Sequence, residues 1–153
     1  MEITILAVGK LRSYYRESCD DYLTRLRRYV KVEEIEVREA NASSAPLCRR
    51  QEAERLRARA PEGAPVVVLT RTGKAWSSAE LAEALERWQR DARPVAFMIG
   101  GSTGLDDVLM EQAYQRWSLG PLTLPHELAR VVVAEQLYRA FTILRGEPYH
   151  KGR

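Results

Sequence analysis

The stretch PVAFMIGGSTGL, Pro94 to Leu105, runs through five apolar residues and then into a glycine-rich turn. Successive side chains of a strand point to opposite sides, so a strand with one wet face alternates apolar and polar residues. Val95 to Ile99 does not alternate. A strand of this kind is covered on both faces, which points to a parallel sheet sandwiched between helices. APVVVLT, Ala64 to Thr70, has the same character, and EITILAV, Glu2 to Val8, is a third apolar run that ends at Gly9.

Helical patterns separate these runs. SYYRESCDDYLTRLRRY spaces Tyr15, Cys19, Tyr22, Leu26 and Tyr29 by three or four residues. SSAPLCRRQEAERLRARA opens on serine caps and Pro46, but its apolar stripe is thin, so this helix is expected to be mostly solvated. SSAELAEALERWQRD places Glu80 three residues after Ser77, a capping-box pattern. GLDDVLMEQAYQR is a further helix, KVEEIEVRE and WSL are short strands, and a long helix runs from about Pro125 to Leu144. The order is β-α repeated five times. We expect an α/β fold with a mostly parallel sheet flanked by helices, as one domain over residues 1–153.

Composition narrows the classes. No run approaches the roughly 18 apolar residues of a membrane span. MEITILAVGK has no basic leader and no small-residue cleavage site, and reads as a first strand rather than a signal peptide. Cys19 and Cys48 have no CxxC spacing and are expected to be free thiols of a reducing cytosol. Together with the two histidines they make no metal-ligand spacing, and no GxSxG elbow or GxxxxGK[ST] loop is present. The net charge is +3, and 20 of the 24 Lys and Arg residues are arginine. Arginine suits bidentate phosphate contacts, although codon bias also produces such an excess.

In open α/β sheets, ligands bind beyond the carboxyl ends of the strands. Three loops leave those ends in the second half of the chain: TRTGK, IGGSTG and LGPLTLPH. IGGSTG carries Gly100, Gly101 and Gly104 in a GGxxG pattern, which serves either a tight turn or a close approach to a ligand. In LGPLTLP, Pro121 and Pro125 stiffen a segment whose Gly120, Leu122, Thr123 and Leu124 offer main-chain groups. Those groups need a ligand or a very tight turn.

The helix that follows opens on His126 and threads Glu127, Arg130, Glu135 and Arg139 through an apolar VVVA core. His126 and Arg130 share one face, and Glu135 and Arg139 another. One face is expected to meet a ligand and the other a partner surface. The tail PYHKGR sets Tyr149, His150 and Lys151 at the chain's end, where side chains add little to a core. Such a set is either an idle end or an aromatic and basic group that stacks on a base and holds a phosphate.

LxxxGKxxSS (Leu69 to Ser78), FxIGGxxGL (Phe97 to Leu105) and SLxxLTLPHxLxRVxxxEQLYRAxxI with PYHK (Ser118 to Lys151) resemble the ribosomal large-subunit RNA methyltransferase H family. This family is a branch of the SPOUT methyltransferases, and the likeness spans nearly the whole chain. The resemblance implies an α/β fold with a C-terminal trefoil knot. It implies a cytoplasmic homodimer that uses S-adenosyl-L-methionine, with no metal, to methylate N3 of a pseudouridine in 23S ribosomal RNA on the assembled ribosome. It implies a cofactor site of Leu69, Thr70, Gly101, Gly120, Pro121, Leu122, Thr123, Leu124 and Pro125. His126, Tyr149, His150 and Lys151 then match catalytic and RNA-facing positions, and Arg130, expected with His126 at the edge of the cofactor loop, is a further catalytic candidate. The N3 proton could go to His126, to His150 or to water. Where many members have an acidic residue, this chain has Thr70. Two other classes stay open on the residues alone: a dinucleotide-dependent oxidoreductase and a ribosome-binding module without a cofactor.

Overall fold

The structure, a computed structural model, describes residues 1–91 and 93–150, with His150 described by its backbone alone. Five strands, β1 (Glu2–Val8), β2 (Lys31–Val37), β3 (Val66–Lys74), β4 (Val95–Ile99) and β5 (Gln115–Trp117), form one sheet in the order β2-β1-β4-β3-β5. Every neighbouring pair is parallel. The helices between and after them are α1 (Ser13–Leu26), α2 (Ala45–Arg59), α3 (Ser78–Arg90), α4 (Asp107–Gln112) and α5 (His126–Leu144), and a 3-10 turn at Pro148–His150 follows.

The absence of alternation in the strands has the expected cause. Ile3, Ile5, Ala7, Phe97 and Ile99 face one core with Leu23, Leu85, Trp88, Leu137 and Phe141, from α1, α3 and α5. Leu6, Val8, Ala96 and Met98 face the other core with Leu56 and Leu109, from α2 and α4. The inner strands β1 and β4 are therefore dry on both sides, while β2 and β5 at the edges keep exposed polar residues. Fully burying a side chain such as Phe97 or Leu6 contributes about 1.5–3 kcal/mol.

The predicted starts of α2 and α3 form. Ser44 caps α2 through Leu47 N, with Pro46 in the first turn. Ser77 Oγ accepts from Glu80 N at 3.1 Å. Cys19 and Cys48 are free. Burial, reinforced by the charge of Glu34, pushes the Cys19 thiol up to about 12, so it is inert. The described residues contain no helix long and apolar enough to cross a membrane, and no group of His, Cys, Asp and Glu arranged to hold a metal ion.

Candidate active site

A cavity of about 390 Å³ opens at the carboxyl ends of β3, β4 and β5. The volume falls within the range of small-molecule sites. Two of the three loops singled out above, IGGSTG and LGPLTLPH, converge there, whereas TRTGK is no loop but lies within β3, whose pairing runs on to Lys74. Leu69 and Thr70 come from β3, Gly101 follows β4, and Gly120, Leu122, Thr123 and Leu124 follow β5. His126, the first residue of α5, stands at the same cavity. Pro121 and Pro125 do not line it. Pro125 instead sits at the N-cap of α5, and its carbonyl accepts from Ala129 N at 2.9 Å.

The loop conformations explain their sequences. Gly100 is buried, and a Cβ on it would lie 2.6 Å from the carbonyl carbon of Gly104. The turn closes through Gly104 N donating to Gly101 O at 3.1 Å. Gly120 has φ +113°, a conformation that residues with a side chain rarely adopt. Among the described residues, no main-chain group from Pro121 to Leu124 has a hydrogen-bond partner. The segment is not closed by a main-chain hydrogen bond of its own, and its exposed residues Pro121 to Thr123 leave donors and acceptors open to solvent beside the cavity. Thr103 Oγ1, also in the cavity lining, is buried without a partner. A buried hydroxyl left alone costs about 1–3 kcal/mol, which a bound polar group recovers.

Sequence reading missed several lining residues. Arg49 reaches the cavity from α2 and donates from Nη1 to Thr103 O at 3.4 Å. Asp107 and Met110 come from α4, and Arg71 from β3. Periodicity could not place Arg49, because the thin stripe of α2 gives no strong orientation. Asp107 and Met110 follow the IGGSTG loop closely, so the loop itself was the available signal.

Arg130 was expected beside His126 at the cavity edge, and the structure puts it elsewhere. It is 2% exposed, outside the cavity lining, and turned toward β1 and β2. Its Nη2 donates to Glu34 at 2.8 Å and to Glu36 at 2.6 Å, and its Nη1 donates to Gly9 O at 3.1 Å. One turn is enough to separate the two, because α5 passes from the cavity into the protein between them. Glu127 is buried too, and accepts from Arg12 N at 2.7 Å. Together Glu127 and Arg130 fix the start of α5, and with it His126.

The second polar face of α5 is also satisfied within the chain. Glu135 accepts from Arg139 Nη2 at 2.6 Å and from Tyr149 Oη at 2.7 Å. The surplus of charges on this helix therefore does not by itself require a partner surface. Tyr149 is no idle end either. Its ring lies 4.6 Å from that of Tyr138, with the Arg139 guanidinium 4.8 Å away. Burial and the bond to Glu135 push the pKa of its phenol up, so it stays protonated. Tyr149 does not line the cavity. The His150 side chain and Lys151 lie outside the described residues.

Residues 1–150 match a family model described as predicted SPOUT methyltransferase. A Rubrobacter xylanophilus protein named ribosomal RNA large subunit methyltransferase H is 54% identical over 152 residues, covering 96% of this chain and 96% of its own. A Pseudomonas aeruginosa protein of the same name is 44% identical over 156 residues, covering 99% of this chain and all of its own. Among solved structures, a probable methylase family protein from Haemophilus influenzae aligns with a TM-score of 0.60 at 14% identity, over 98% of this chain and 70% of that one. A probable methyltransferase from Bordetella pertussis aligns at 0.58 with 16% identity, over 90% of this chain and 95% of that one. These two likenesses show the fold alone. From the family match over nearly its whole length, the chain belongs to the SPOUT methyltransferases, and its reaction is a methyl transfer.

Proposed function

We propose that this protein transfers a methyl group from S-adenosylmethionine to N3 of a pseudouridine in 23S ribosomal RNA, on the assembled ribosome in the cytoplasm. The observation that carries the reading is the cavity at the ends of β3, β4 and β5, with the unbonded main chain of Pro121 to Leu124 along it. The residues present fit the cofactor. Leu69, Ile99, Leu119 and Leu124 offer apolar surface for a purine ring, and free backbone groups of the Leu122–Leu124 segment offer partners for its edge. Thr103 Oγ1 lacks a partner, and Asp107 and Arg71 bring both signs of charge for an amino acid's ammonium and carboxylate.

When bound, S-adenosylmethionine supplies a methyl group made electrophilic by a positively charged sulfur. The protein's share is positioning, which accounts for roughly 7–11 kcal/mol of a barrier when both reactants are held in line. Leu69 and Thr70 of β3 and the loops after β4 and β5 hold one reactant, and His126 at the same cavity meets the other. As the new N–C bond forms at N3, that nitrogen gives up its proton. His126 is the candidate base that lines the cavity, and an imidazole there accepts the proton. Glu127 and Arg130 keep its backbone in place. The homodimer rests on the family resemblance. In it, His150 and Lys151 serve the RNA side of the site.

Ribosomes lacking the modification, incubated with the protein and S-adenosylmethionine labelled in its methyl group, test the proposal. Label is expected in 23S RNA, in a single pseudouridine blocked at N3. No transfer to ribosomes, or label at another base, refutes it. A titration with S-adenosylmethionine and with NAD separates this reading from an oxidoreductase and from a module without a cofactor.

A further inference from the structure

Helix α2 carries five arginines against two glutamates, a balance of +3 that equals the net charge of the whole chain. Not all of these charges face solvent freely. Glu52 is buried, with Oε2 accepting from Ala40 N at 2.9 Å, and Arg55 donates to Arg38 O at 2.7 Å. Arg50 and Arg57 are exposed, and Arg49, which donates to Thr103 O, is half-buried. With Pro46 on the same helix they line a groove of about 360 Å³ whose other wall is Asp106, Asp107 and Val108, at the start of α4. Among the described residues none of the three arginines makes an ion pair.

Arginines on a solvated helix often pair with acids one turn away, and most of those on the other helices of this protein do, Arg87 on α3 being an exception among the described residues. Arg16 pairs with Asp20 and Arg25 with Asp21 on α1, Arg90 with Glu86 on α3, and Arg139 with Glu135 on α5. On α2, Glu54 is exposed four residues after Arg50 and three before Arg57, yet it is within ion-pair distance of neither. Asp106 and Asp107 share the groove without closing on the arginines either. Three guanidinium groups in one groove repel one another, and an outside anion relieves that repulsion. Arg50 and Arg57 are two helical turns apart on one face, about 10 Å along the axis at 1.5 Å per residue. Arg49 and Asp107 line both this groove and the cavity, so the groove leads to the cavity mouth.

We propose that the groove between α2 and α4 is a docking track for the ribosomal RNA backbone. Arg50 and Arg57 hold phosphates there, and Arg49 holds the phosphate nearest the nucleotide presented at the cavity. The proposal rests on the reading of the substrate as ribosomal RNA. Arginine is the side chain whose planar fork matches phosphate oxygens in pairs. The acidic wall of Asp106 and Asp107 directs a polyanion to the arginine side of the groove.

The test compares Arg50→Glu/Arg57→Glu with Arg87→Glu/Arg90→Glu, a reversal of equal charge on α3. Binding to ribosomes lacking the modification and the kinetics of methyl transfer are both followed as potassium chloride is raised. The α2 variant is expected to raise Kd and KM for ribosomes roughly tenfold and to flatten the salt dependence by about 1.4 to 1.8 in slope, at roughly 0.7–0.9 for each phosphate no longer held. Affinity for S-adenosylmethionine and the circular dichroism spectrum stay as in wild type, and Arg50→Lys/Arg57→Lys recovers part of the loss. Equal losses in the α2 and α3 variants overturn the proposal, since net charge alone then explains them. Unchanged KM and salt slope in the α2 variant overturn it as well. Wild-type protein that binds ribosomes through this face without methylating them refutes the proposed activity and leaves the docking track standing. Wild-type protein that does not bind them refutes both.

Discussion

Arg130 and Glu34, nearly a hundred residues apart in the chain, meet at 2.8 Å beneath the first turns of α5. Arg16 reaches the same carboxylate at 2.6 Å from the other side, and Glu36 joins both arginines. The cluster joins α1, β2 and α5. With Gly9 O it ties the helix that carries His126 to the end of β1. A buried ion pair need not stabilise more than apolar packing would, but removing one partner leaves the other charge uncompensated.

Arg130→Met should therefore lower stability by about 3–5 kcal/mol in a urea titration. The loss comes from the stranded carboxylates, so adding Glu34→Gln and Glu36→Gln to the same chain should recover much of it. If the triple variant is no more stable than the single one, the cost lies in lost packing instead.

Glu34 makes the same cluster sensitive to acid. Burial pushes its carboxyl up, but hydrogen bonds and charges from Arg16 and Arg130 outweigh burial and hold it below its ordinary value near 4.5. The unfolded chain then binds this proton more readily than the folded one. The stabilisation is fully present above about pH 4.5 and is lost as pH falls toward the depressed folded value. Unfolding followed from pH 6 to pH 3 should show wild type losing more stability than Glu34→Gln. Parallel curves for the two proteins would remove Glu34 from the account.

The two neighbouring glycines of the β4 loop make a contrast. A Cβ at Gly100 meets only backbone of Gly104, at 2.6 to 3.1 Å, and nothing there can move aside cheaply. A Cβ at Gly101 meets the Val8 side chain, with Cγ1 at 3.0 Å. Gly100→Ala is expected to distort the loop, with a destabilisation of about 1–3 kcal/mol and a large loss of affinity for S-adenosylmethionine by calorimetry. Gly101→Ala should lose less, and Val8→Ala in the same chain should restore the affinity. Failure of that rescue would mean that Gly101 is glycine because of the ligand and not because of Val8.

The sheet and the cavity loops after β4 and β5 were legible because each rests on short-range patterns, whereas TRTGK, expected as a loop, continues β3. Uniformly apolar strands demand two covered faces, and glycines and prolines after β4 and β5 mark the turns at their ends. Leu69, Thr70, Gly101, Gly120, Leu122, Thr123, Leu124 and His126 all reached the cavity. What escaped depends on pairings between distant segments. Helical spacing put Arg130 on a face with His126, but only the pairing with Glu34 and Glu36 on β2 shows where that face goes. Arg49 escaped because α2 has too little apolar surface to orient it, and Tyr149 because a residue near a chain end carries no sign of the helix it docks on. The trefoil knot is a property of the chain's path, has no residue pattern of its own, and rests on the family resemblance.

The docked Tyr149 changes what truncation should do. Its ring covers Tyr138, stacks near Arg139 and donates to Glu135, so it anchors the 3-10 turn on the flank of α5. Deleting Tyr149 to Arg153 removes those interactions together and should cost roughly 1–3 kcal/mol. Tyr149→Phe removes only the hydroxyl, about 1 kcal/mol, because Glu135 keeps its bonds from Arg139 and Gln136. For a chain of this size that corresponds to a fall in Tm of about 2–4 °C. A third protein, ending at Tyr149, keeps the anchor and lacks only His150 to Arg153. Its melting temperature should match the wild type. Its methyl transfer to ribosomes should fall much further than that of Tyr149→Phe, because His150 and Lys151 are the residues that the family resemblance sets against RNA. If Tyr149→Phe instead loses turnover as severely as the shortened chain while its Tm is unchanged, the phenol acts in the reaction and its anchoring role is wrong. If the shortened chain transfers methyl groups at the full rate, His150 and Lys151 have no part in the chemistry or in holding RNA.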